Sequence, residues 1–184
     1  MGVPRIRPDD ALVLLVDVQE RLQPHMHDDA RMRRRAAALA EGARLLGVPL
    51  VVTEQYPRGL GRTVPELQEA AKAAGGALEK TSFSCAADPG VRARLDALGR
   101  RTVLLAGVEA HVCVLQTALD LQDAGWRVLV VEDAVGSRSP DDKAAALARL
   151  RMSGVEPATV EMALFELMGD SRHPRFRDVQ ALVK

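Results

Sequence analysis

Aromatic side chains are scarce: the 184 residues hold one Trp, one Tyr and three Phe. A surface that holds single-stranded nucleic acid stacks successive bases on several rings, so that platform is not available. Charge of one sign is lacking too, because 25 Lys and Arg balance 25 Asp and Glu for a formal net charge of zero. No global field draws this chain to nucleic acid or to an anionic membrane. Long apolar runs are also missing. None reaches the ~20 residues of a spanning helix, and the run nearest the N-terminus, Ala11 to Val16, stops at Asp17. It reads as a strand, not as an export signal. The expected setting is therefore cytoplasmic, with the two cysteines, Cys85 and Cys113, as free thiols.

What is present is ordinary for one folded domain over residues 1–184, with 47% hydrophobic and 27% charged residues. Short apolar runs alternate with helical patterns. Strands are expected at Ala11 to Val16, Leu50 to Thr53, Ala77 to Glu79, Val103 to Ala106, Arg127 to Val131 and, short and last, Val155 to Ala158. Amphipathic spacing predicts a helix from Met32 to Leu46, ended by Gly47. Further helices are expected after Thr63, from Asp88 to about Leu98, up to Ala124, from Asp141, and in the C-terminal pieces Phe165 to Leu167 and Phe176 to Val183. Thr63 with Glu66 reads as a capping box ahead of Pro65. The stretches at 54–64 and from Glu132 to Asp142 read as loops. This alternation implies an α/β fold: a three-layer αβα sandwich, doubly wound and Rossmann-like, with a mostly parallel sheet in the order 3-2-1-4-5-6. A dinucleotide is not expected, because DVQERL after the first strand lacks the glycine fingerprint.

Such sheets bind ligands beyond the carboxyl ends of their strands, and three chemistry-bearing residues end strands here. Asp17 closes the first, Lys80 the third, and Cys113 follows the fourth through a turn that begins at Gly107. A thiol at a helix N-terminus is expected to favour thiolate. Asp17 then suits a general base and Lys80 the counter-charge, with Cys113 as nucleophile towards an acyl carbon and backbone N–H groups of the turn as oxyanion donors. The alternative for Cys113 is a small buried core residue. Gln19, Gln55, Tyr56 and Phe83 are candidate pocket wall. His111, two residues before Cys113, is placed at the pocket in a supporting role. Cys85 borders the same region without the turn that would activate it. His25 and His27 read as solvated loop residues, His173 as part of a surface turn, and Arg33 to Arg35 as a solvated helix face.

These motifs, LLVDVQ with Asp17, EKTSFS with Lys80 and AGVEAHVCV with Cys113, resemble those of the isochorismatase-like cysteine hydrolases in order and spacing. The likeness continues through TEQYPRGLGRTVPEL, TALDLQDAGWRVLVVEDAVGSRS and GDSRHPRF, where it is strongest to the isochorismatase domain-containing protein 2 type. It implies an Asp17–Lys80–Cys113 triad, a cis peptide between Val108 and Glu109, an oxyanion hole from the N–H groups of Glu109 and Cys113, and assembly as a homo-oligomer acting on a small-molecule substrate. Zinc-binding nicotinamidases of the superfamily carry an aspartate and two histidines after the second strand. TEQYPRGLG has no histidine, so no metal and no cofactor are expected, and nicotinamide is disfavoured. Relatives that cleave isochorismate act on a vinyl ether without needing the thiol, and an intact Cys113 favours acyl transfer. Two alternatives stay open: a catalytically idle oligomer, or a protein whose Cys113 is a peroxide-reactive thiol.

Overall fold

Side chains of a strand point alternately to its two faces, so a strand apolar throughout must be covered on both. The computed structural model, which describes residues 5–184, bears this out at β1 (Ala11–Val16), where all six residues are buried. Val13 and Leu15 join one core, and Leu12 and Leu14 join the other. Six parallel strands form one sheet in the order 3-2-1-4-5-6, as expected: β2 (Leu50–Gln55), β3 (Leu78–Lys80), β4 (Thr102–Val108), β5 (Arg127–Gly136) and β6 (Glu156–Ala158) complete it.

One face is covered by α1 (Asp29–Leu45), α3 (Pro65–Ala73), α7 (Val160–Met168) and α8 (Phe176–Val183), and the single turn α2 (Pro57–Leu60) sits in the loop after β2. The other face is covered by α4 (Pro89–Ala97), α5 (Leu115–Asp123) and α6 (Pro140–Met152). Among the described residues no helix is long and apolar enough to cross a membrane.

Two local expectations are corrected. Thr63 does not cap α3, whose N-cap is Val64 without a side-chain bond. Its hydroxyl and N–H instead donate to the buried carboxylate of Glu54, at 2.8 and 2.7 Å. A desolvated carboxylate gains more from these donors than the exposed helix end would. β5 also runs past Val131 to Gly136 through residues read as loop. A register shift opposite β4 lets it resume pairing at Gly107 with Val135 and Val108 with Gly136, and Ala134 and Val135 are buried.

The functional edge depends on one close approach. Gly107 pairs with Val16 at φ +115°, and a Cβ there would lie 2.0 Å from the Val16 carbonyl oxygen. Only glycine lets β4 pass β1 this closely. The end of β1 therefore abuts the turn that carries Cys113.

Candidate active site

Asp17 is the first residue past β1 and takes a left-handed φ of +55°, a conformation that aspartate tolerates better than most side chains. Its N–H donates to the Thr53 carbonyl of β2, and its side chain is almost wholly buried. Two donors hold the carboxylate: Thr53 Oγ1 at 2.8 Å from Oδ1 and Lys80 Nζ at 2.7 Å from Oδ2. Lys80 ends β3, and its ammonium also faces Gln55 Oε1 at 2.7 Å and the carbonyls of Ser82 and Phe83 at 3.2 and 3.3 Å. A buried ammonium needs such acceptors. Burial pushes the Lys80 ammonium down, but the Asp17 carboxylate and, once ionised, the two nearby sulfurs outweigh it, and the net direction is up.

Cys113 lies in a wide π-turn, Ala110–Val114, ahead of α5. Val112 and Val114 both donate N–H to the Glu109 carbonyl, at 3.0 and 3.2 Å, which curls the chain there. The Val108–Glu109 peptide is cis. The Glu109 carboxylate turns away to Arg138, whose Nε is 2.8 Å from Oε1. The thiol of Cys113 does not behave as a helix N-terminus alone would dictate. Burial first, then the Asp17 charge, push it up to about 12, against the opposing Lys80 charge. The expectation of a resting thiolate is thus corrected: a carboxylate and desolvation beside the sulfur outweigh one ammonium that already serves Asp17.

The remaining candidates sort by exposure and bonding. Gln55 touches Lys80 directly and passes its Nε2 to the Thr81 carbonyl at 2.8 Å. Gln19 does not line a pocket. It is fully buried, and its amide bridges the backbone of Gln55 in both directions and reaches the Gly61 carbonyl. It holds Gln55 in place. Tyr56 and Phe83 are each more than half exposed and flank Lys80 through the backbone. His111 bonds Ser137 Oγ through Nδ1 at 3.0 Å and stands 3.9 Å from Asp142, so it ties the Cys113 turn to the end of β5 and the start of α6. His25 and His27 are exposed, and His173 accepts the Arg175 N–H within its turn. Among the described residues no three His, Cys, Asp or Glu side chains cluster as metal donors.

Residue chemistry and spacing did not point to Thr53, Ser84 or Ser137. Thr53 would follow from strand register, since it pairs with Val16. Ser84 is buried with a hydroxyl that has no partner among the described residues. A cleft of about 360 Å³ lined by Tyr56, Arg58, Thr81 and Asp88 opens beside Lys80. A larger groove, about 1080 Å³ between Arg5, Asp9, Arg101 and Glu166, lies where the strands begin, away from this chemistry.

The isochorismatase domain model matches residues 11–162. The isochorismatase domain-containing protein 2 of Bos taurus is 46% identical over 181 residues, covering 98% of this chain and 86% of that protein. The structure of the MAR1 ribonuclease from Caenorhabditis elegans superposes with a TM-score of 0.89 at 38% identity, over 98% of this chain and 92% of the other. The YcaC gene product of Escherichia coli, described as an octameric hydrolase of unknown specificity, superposes with a TM-score of 0.89 at 25% identity, over 98% and 97% of the two chains.

Proposed function

The chain belongs to the isochorismatase family of hydrolase folds, and from that premise we propose that it is a metal-independent cysteine hydrolase acting on a small amide, ester or related acyl substrate. The observation that carries this reading is the buried Asp17–Lys80 pair, 2.7 Å apart, beside the Cys113 thiol.

The resting site holds one carboxylate, one ammonium and one neutral thiol. Burial and the neighbouring Asp17 carboxylate both oppose loss of the thiol proton to water. Passing the proton to Asp17 is a different process. It removes the charge that opposes the thiolate and frees Lys80 to face the sulfur, so the net charge of the buried site is unchanged. The Cys113 sulfur then attacks the acyl carbon as its proton moves to Asp17. The Glu109 and Cys113 N–H groups receive the oxyanion. Collapse expels an amine or alcohol that takes the proton back from Asp17, and leaves a thioester. Asp17 next removes a proton from water, and the hydroxide releases the acid and restores the thiol.

The C. elegans relative is named a ribonuclease. For this chain, a net charge of zero and a buried thiol favour a small acyl compound over a polyanion. The working form is taken to be a homo-oligomer. The E. coli relative is described as octameric, and Tyr56 and Phe83 leave apolar surface exposed at the mouth of the site.

Incubation with p-nitrophenyl acetate followed by intact-protein mass and peptide mapping tests the thioester. A transient acetyl adduct on Cys113, lost on standing and absent from Cys113→Ala, is expected. Turnover without any adduct in the wild type, and undiminished in Cys113→Ala, would sink the covalent route.

A further inference from the structure

Cys85 takes no part in the proposed reaction, yet it is fully buried within the same polar cluster. Its backbone N–H donates to Thr117 Oγ1 at 2.9 Å, on the helix that follows the Cys113 turn. Its Sγ stands 3.8 Å from Thr53 Oγ1. That same oxygen stands 2.8 Å from Asp17 Oδ1.

A threonine hydroxyl has one proton and two lone pairs. A carboxylate is a far stronger acceptor than a neutral sulfur, so the proton goes to Asp17. Turned towards the sulfur instead, the hydroxyl would set lone pair against lone pair at 2.8 Å. With the proton committed, a hydrogen bond between the two can only run from S–H to the oxygen; Thr117 Oγ1, the other hydroxyl beside the sulfur, already receives the Cys85 N–H.

We infer that Cys85 is a positioning residue for the base: its thiol donates to the Thr53 hydroxyl and so directs that hydroxyl's single proton onto Asp17. The donor persists at neutral pH, because burial pushes the Cys85 thiol up to about 11 against the opposing Lys80 charge. Both oxygens of Asp17 are then held, one by Lys80 and one by a hydroxyl that cannot rotate away. Cys113 is the other titratable group facing that carboxylate. Because Cys85 is also tied to Thr117, it joins the strand that supports the base to the helix behind the nucleophile. The hydrogen bond stands on geometry alone, and its catalytic consequence rests on Asp17 being the base.

Infrared spectroscopy of the S–H stretch decides the hydrogen bond in Cys113→Ala protein, where Cys85 is the one remaining thiol. The band is expected at lower frequency than in the Thr53→Val, Cys113→Ala double variant, which has lost the acceptor. Identical bands would overturn the inference whatever reaction the protein catalyses. The consequence is read from the rate of Cys113 acylation by p-nitrophenyl acetate. Cys85→Ala is expected to slow it about tenfold, the worth of one oriented hydrogen bond, with the fold checked by circular dichroism. Cys85→Ser, which restores a donor, is expected to recover most of that loss. Equal rates in wild type and Cys85→Ala, or no recovery in Cys85→Ser, would overturn the positioning role. If wild-type protein showed no acylation at Cys113 at all, the hydrolase reading would fail instead, and the infrared comparison would still decide the hydrogen bond.

Discussion

A Cβ on Gly107 would stand 2.0 Å from the carbonyl oxygen and 2.6 Å from the nitrogen of Val16. Backbone cannot move aside as a flexible side chain would, and φ at Gly107 is +115°. Gly107→Ala is therefore expected to cost about 3 kcal/mol or more. Gly125→Ala is the control, because Gly125 also has a positive φ, +81°, but open space around it. It is expected to cost only about 1 kcal/mol. Urea unfolding of both variants measures the difference, and equal losses would show that contact with β1 is not what demands glycine.

Lys80 and Asp17 have side chains 0% and 1% exposed, and each is the other's counter-charge. Removing one partner leaves a buried charge, which typically costs about 3–5 kcal/mol. Lys80→Met should fall in that range by urea unfolding. Asp17→Asn, Lys80→Met should recover part of the loss, since no orphan charge remains. A double variant that lost the sum of both single losses would mean that the two residues act independently.

Turnover should separate from stability at the nucleophile. Cys113→Ala is expected to abolish hydrolysis of an acyl ester with little change in the urea midpoint. Asp17→Asn should lower it by about 10²–10⁴ through loss of the base. A Cys113→Ala protein of wild-type activity would point to direct attack by water.

The site's chemistry was legible because acid, ammonium and thiol each sit where an apolar run stops, and strand ends of a parallel sheet share one edge. What was not legible depends on lateral register. Thr53 lies inside a strand, and nothing in LVVTEQ says that its hydroxyl reaches Asp17 until Val16 is known to pair with it. Gln19 was misread for the same reason, since the bridge from Gln19 to Thr63 and the Gln55 backbone turns a polar side chain inward. The thiol's direction of shift failed differently: a helix N-terminus can be read from sequence, but burial against a carboxylate cannot.

Alkaline pH tests that direction. Burial raises Cys113 to about 12 and Cys85 to about 11, against an ordinary value of 9.0. Between pH 9 and 12 the unfolded chain has lost protons that the folded chain retains, so stability falls as pH rises through this window and is fully present below it. Urea midpoints of wild type, Cys85→Ala and Cys113→Ala from pH 8 to 11 measure this, with a shallower decline expected in each variant. A thiolate resting state would reverse the sign of the Cys113 contribution.

Glu54 gives the opposite sign at the acid end. Burial alone would raise its carboxyl, but the N–H and hydroxyl of Thr63 and the guanidinium of Arg62 outweigh that, and the net direction is down. Its contribution is present above the unfolded value and is lost as pH falls through the folded one. The bonds also close the loop between Tyr56 and Val64 back onto β2, and Val64 N–H donates to Val18 just past Asp17. Glu54→Gln keeps the shape but cannot accept all three donors, so it should both flatten the acid dependence and loosen the loop. Arg58, which lies in it, becomes the reporter. Limited trypsin digestion at neutral pH should cut there faster in Glu54→Gln than in wild type, while cleavage at the exposed Arg149 of α6 stays unchanged. Equal rates at Arg58 would mean that the loop is held by the Gln19–Thr63 bridge rather than by the buried carboxylate.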